Sequence, residues 1–100
     1  EKIPDLSVVG QAKNGNEAVA LAKKLMPQVI LMDVNMPELN GILATQQIKK
    51  TFPNIKVIMV TSYKDKRAVL ASLAAGADGY STKEIGFEHL VYGIRMVIQG

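Results

Sequence analysis

One hundred residues, 48% of them hydrophobic, with 12 basic and 9 acidic side chains for a net charge of +3, describe a single globular domain that can bury a core with little to spare. The lack of cysteine excludes disulfides and thiolate metal sites, and the basic residues, adjacent only at Lys23-Lys24 and Lys49-Lys50, read as solvated helix faces rather than a nucleic-acid footprint. No apolar run approaches a membrane span and the N-terminus does not look like a signal peptide, so the expectation is a soluble, cytoplasmic chain with no membrane contact and no direct nucleic-acid binding.

Glu1 to Pro4 is a polar end. Leu6-Ser7-Val8-Val9-Gly10 is short and β-rich and is expected to be a strand. Asn14-Gly15-Asn16 is a turn signal with Asn16 as candidate N-cap, and Ala18, Leu21, Ala22 and Leu25 then mark one face of a helix that Pro27 ends. Val29 to Asp33 follows, four apolar residues running into an acid between Pro27 and Pro37, a pattern that predicts a strand buried on both faces. Gly41 opens a second helix to about Thr51, with Ile42, Ala44, Ile48 and Phe52 as its stripe and Leu43 exposed.

Ile55 to Val60 is a further strand, ending at Thr61-Ser62. A third helix is expected from an Asp65 cap to Ala75, with Val69/Leu73 and Leu70/Ala74 at i, i+4 and Gly76 stopping it. Gly79 to Thr82 reads as a short strand ending at Lys83, and the last helix carries Phe87, Leu90, Val91, Ile94 and Ile98 on one face with His89 off it. The five methionines read as core filling. Strands beginning near 6, 29, 55 and 79 with a helix in each gap predict an α/β fold, a doubly wound parallel sheet.

Three of the strands end in Asp33, Thr61 and Lys83, and in a parallel sheet these ends share one edge. A carboxylate, a hydroxyl and an ammonium converging in one crevice suit phosphoryl chemistry, the carboxylate as nucleophile, the hydroxyl as donor to a phosphoryl oxygen, the ammonium as counter-charge. The plainer reading of the same residues is an ion pair beside a capping hydroxyl.

Leu31 to Gly41 resembles the phosphoacceptor segment of response-regulator receiver domains, Val60-Thr61-Ser62 resembles their hydroxyl position, and Ala75 to Lys83 resembles their last strand with its lysine. The order and spacing agree, and the similarity runs from Leu6 to Gly100. Asp78-Gly79-Tyr80, and Lys83 followed by Glu84 where many receivers have proline, resemble the NarL/FixJ branch, whose members carry a C-terminal helix-turn-helix output domain. The resemblance implies a flavodoxin/CheY-like fold over residues 1–100 and a switch rather than an enzyme. It implies that Asp33 accepts a phosphoryl group from a sensor histidine kinase and that Mg²⁺ is held by Asp33 and the backbone carbonyl of Asn35. Thr61 and Lys83 would meet the phosphoryl oxygens, and Tyr80 would be the switch aromatic on a bistable unit of third helix, last strand and last helix.

Receivers begin with a strand ending in two acids that also hold Mg²⁺, then a helix; this chain starts after them, short by roughly 20 residues, and is expected to be truncated to four βα units. Glu1 and Asp5 do not match that acidic pair. The readings that follow are a fragment of a longer parent, a chain completed by swapping or homodimerisation, and a receiver that binds Mg²⁺ poorly. An alternative function is therefore a pseudo-receiver that acts as a phosphorylation-independent assembly module. A third is an aspartate-nucleophile phosphohydrolase of the haloacid-dehalogenase type, against which Asn35 stands where that family wants a second Asp. His89 is expected to be exposed and not a phosphorelay histidine, and Tyr63 and Tyr92 are candidates for a partner-binding face.

Overall fold

The computed structural model describes residues 10–33, 40–61, 66–82 and 86–99, with side chains left out at 61, 66, 68 and 87. Helix α1 spans Gly15–Leu25, strand β1 Val29–Asp33, helix α2 Gly41–Thr51, strand β2 Lys56–Thr61, helix α3 Lys66–Ala74, strand β3 Gly79–Thr82 and helix α4 Phe87–Gln99. The described strands form one parallel sheet in the order β1-β2-β3. The expected α/β doubly wound architecture is therefore present. The strand expected at 6–10 lies, except for Gly10, outside the described residues, as does the Asp65 cap.

Local signals explain the element ends. Asn14, not Asn16, caps α1: its side chain accepts from the Glu17 N–H at 2.8 Å, and Glu17 Oε1 accepts from the Lys13 N–H at 2.7 Å. This reciprocal arrangement is a variant of the capping box, and the Asn14-x-x-Glu17 spacing encodes it. The helix stops at Leu25 because Met26 precedes proline and is barred from the helical region. Met26 instead takes a left-handed φ of 45° and donates to Ala22 O. Gly76, with φ +100°, ends α3 as expected. Strand β2 starts one residue later than the apolar run, since the Ile55 N–H is taken by Phe52 O.

One face of the sheet is sealed. Met32, Val57 and Met59 pack with Ala18 and Ala22 of α1 and with Ala44 and Ile48 of α2 in a single buried cluster. Thr45 is fully buried among them, and its hydroxyl donates to Met59 Sδ at 3.1 Å. On the other face α4 lies over β2 and β3 with Val91 and Ile94 buried, and Gly79 is in contact range of both Ile58 and Val97. Leu31, the register partner of Ile58, is nevertheless 45% exposed. The expectation that β1 is buried on both faces is thus corrected: helices α1 and α2 cover its Met32 side, while α4 lies over β2 and β3.

Three further expectations change. Met32 and Met59 fill the core, but Met26 and Met96 are exposed, because one ends a helix and the other lies on the outer side of α4. In α3 it is Ser72 that is buried, while Leu70 and Leu73 face outward. Lys49 is not part of a solvated face. Its ammonium donates to Pro53 O at 3.0 Å, Ile55 O at 2.9 Å and Asp78 Oδ2 at 2.9 Å.

Asp78 in turn brackets Val57: its carboxylate accepts from the Val57 N–H at 2.9 Å and its own N–H donates to Val57 O at 2.8 Å. A side chain thereby supplies the ladder acceptor just before β3 begins, which pins Ile58 opposite Gly79. Asp78→Ala leaves a strand N–H and an ammonium without this acceptor. It is expected to cost about 1–3 kcal/mol, read as a lower urea midpoint at unchanged slope, and a double-mutant cycle with Lys49→Met is expected to show coupling between the two.

Candidate functional site

Parallel pairing decides which strand ends meet. The register places Asp33 opposite Val60, Val60 opposite Ser81, and Thr61 opposite Thr82. Asp33 is therefore the last residue of β1, Thr61 the last of β2, and Thr82 the last of β3, all on the carboxyl edge of the sheet. Such edges are where open α/β sheets form sites. Asp33 and Thr61 thus both stand at this edge. Lys83 directly follows Thr82 in the chain but lies outside the described residues, as do Asn35 and Tyr63.

Tyr80 lies on β3, facing Met59 of β2 across the ladder. It is partly buried and packs against the core cluster under α1 and α2. Asp33 is likewise partly buried. His89 is exposed on α4, as expected, and so is Tyr92. Among the described residues no group of three His, Asp or Glu side chains is arranged to hold a metal ion. Asp33 offers a carboxylate, the hard oxygen donor that Mg²⁺ prefers, and the donor type therefore fits such an ion.

The structure singles out two residues to which the sequence reading gave no role at the site. Asn40 caps α2, its side chain accepting from the Leu43 N–H at 2.9 Å. Gly41, the first residue of that helix, is buried and lies directly against the end of β1. A Cβ built at Gly41 would overlap the Asp33 carbonyl oxygen, fall 2.8 Å from the Asp33 carbonyl carbon and 3.0 Å from Met32 Cγ. The signal in the sequence was a glycine at the first position of a helix, where a better helix former is expected. Its cause, a close approach between segments eight residues apart, is tertiary.

Comparison with known proteins agrees with this geometry. A family model of the response regulator receiver domain matches residues 2–95. Response regulator GacA of Pseudomonas protegens is 43% identical over 98 residues, which are 98% of this chain and 46% of that protein. The response regulator domain of Thermotoga maritima CheB superposes with a TM-score of 0.88 at 38% identity, covering 98% of this chain and 81% of that one. A DNA-binding response regulator of the LuxR family from Staphylococcus aureus superposes with a TM-score of 0.89 at 32% identity, over 94% and 78%. The chain spans less than half the length of the curated relatives it matches. No helix among the described residues is long and apolar enough to cross a membrane.

The Asn40 cap should be measurable on its own. Asn40→Ala is expected to cost about 1 kcal/mol of stability, with faster amide hydrogen exchange at Leu43 and unchanged exchange in the last turn of α1 as the internal control.

Proposed function

Since the chain belongs to the response regulator receiver-domain family, we propose that Asp33 is its phosphoacceptor and that a sensor histidine kinase is the donor. The register carries this reading: it sets Asp33, Thr61 and the residue before Lys83 on one sheet edge. A carboxylate oxygen of Asp33 attacks phosphorus, an O–P bond forms, and the donor's P–N bond breaks as its histidine leaves. Asp33 and the backbone carbonyl of Asn35 are the donors that would hold Mg²⁺, with water completing the shell. When bound, the ion neutralises charge on the phosphoryl oxygens. Lys83 pairs with one of those oxygens and the Thr61 hydroxyl donates to another.

Receiver domains are signalling domains, and the relatives are response regulators of the NarL/LuxR type. In this reading the new charge on Asp33 draws Thr61 toward it, Tyr80 moves inward from its partly buried position, and α3, β3 and α4 shift as the bistable unit. In a longer parent that surface controls a DNA-binding output domain, as the description of the Staphylococcus aureus neighbour suggests. Dimerisation through this chain is a part of the same reading.

Incubation with acetyl phosphate and Mg²⁺, followed by intact mass, tests the assignment. The expected result is the gain of one phosphoryl group, abolished by Asp33→Asn and by chelation of the metal. No gain in a folded sample overturns it and leaves assembly without phosphorylation as the function. Turnover of a generic phosphate ester would instead indicate a phosphohydrolase.

A further inference from the structure

We propose that Gly41 is a positioning residue for Asp33: the bare Cα at the start of α2 lets the helix seat against the Asp33 carbonyl, and this contact sets the direction in which the Asp33 carboxylate leaves the sheet edge. The proposal rests on the reading of Asp33 as phosphoacceptor. Its grounds are steric. Any β-carbon at Gly41 overlaps the Asp33 carbonyl oxygen and crowds the carbonyl carbon at 2.8 Å, and both of these atoms are backbone. A flexible side chain could swing aside; a peptide unit at the end of a paired strand cannot.

The strain has one easy outlet. Strand β1 is held by its ladder with β2, and α2 is held at its far end, where Lys49 bonds Pro53 O, Ile55 O and Asp78. An added methyl therefore parts the helix start from the strand end at Asp33. Asp33 is the last residue of β1, and the crowded carbonyl is its own. Because that peptide cannot swing aside, the strand end itself is displaced, and the carboxylate, carried on the Asp33 Cα, moves with it. A misplacement of about 1 Å at a reacting group is enough to lose on the order of 10²-fold in rate.

Gly93 supplies the matched control. It is also a glycine in a helix, but a Cβ there meets nothing within 4 Å. Gly93→Ala adds the same methyl without touching the sheet edge.

The test uses the full chain, labelled with ¹³C at the aspartate carboxyl carbons, as wild type, Gly41→Ala, Gly93→Ala and Asp33→Asn, the last to assign the Asp33 signal. In Gly41→Ala the Asp33 carboxyl signal is expected to move while that of Asp78 stays in place, and in Gly93→Ala both are expected to stay. With acetyl phosphate and Mg²⁺, Gly41→Ala is expected to lower the maximal rate of phosphoryl uptake by tenfold or more with the half-saturating acetyl phosphate concentration unchanged. Gly93→Ala should match wild type. A folded Gly41→Ala protein whose Asp33 signal and maximal rate both equal those of wild type overturns the proposal.

If wild type takes up no phosphoryl group, the phosphoacceptor reading is the one that fails, and the carboxyl signal still decides whether Gly41 positions Asp33. If Gly41→Ala does not fold, Asn40→Ala replaces it. That variant loosens the same helix start without adding atoms, so an unmoved Asp33 signal there sinks the proposal and a shifted one supports it.

Discussion

The Asp78 carboxylate holds the molecule's two essential alignments at once. By accepting from Val57 while its own N–H donates to Val57 O, it fixes β3 against β2 before the first β3 ladder residue. By pairing with Lys49 it also fixes the last turn of α2 to the same point. The two side chains are 14% and 23% exposed, so water screens this contact little. The alignment of β3 with β2 at the opposite, carboxyl edge of the sheet follows from it, because a parallel ladder transmits register unchanged from one end to the other.

Helix α2 is consequently tied at both ends. Its C-terminal turn is bound through Lys49 to the start of β2 and β3, and its N-terminal turn lies on the end of β1 through Gly41. Eleven helical residues span about 16 Å, so this one rod bridges the two edges of the sheet. Between the ties it buries Ala44, Thr45 and Ile48 against Met32, Val57 and Met59. Thr45 spends its hydroxyl on Met59 Sδ, which lets a polar residue occupy a fully buried position without an orphan donor. The sealed face therefore serves as a rigid platform, with Asp33 and Thr61 at its rim.

The two faces of the sheet differ in how they can respond to charge at that rim. Tyr80 borders the close-packed face, so movement there has to displace well-packed neighbours and proceeds between discrete arrangements. Leu70 and Leu73 of α3, and Tyr92 and Met96 of α4, are exposed. In the proposed switch, apolar surface on α3 and α4 would be what changes when the packing changes.

Much of this was legible in the chain. The alternation of short apolar runs with 3.6-residue periodicity marked four strands and four helices, and three of those strands and all four helices stand among the described residues, because burial on a sheet or one helix stripe leaves those periods in any sequence. The run Val29 to Asp33, closed by an acid, and the run into Thr61 placed these two polar residues at strand ends for the same local reason: a buried apolar strand stops where its side chains turn polar. What the sequence could not reveal were the long-range decisions. Lys49 looks like its neighbour Lys50 until Asp78, 29 residues away, is brought beside it. Leu31 and Met32 are adjacent apolar residues, yet one is 45% exposed and the other 2%, since only the packing of helices on each face distinguishes them. Gly41 reads as a poor helix residue until the Asp33 carbonyl is seen against its Cα. Sequence periodicity records how each segment is buried; which segments meet, and at what distance, is settled only when tertiary packing brings them together.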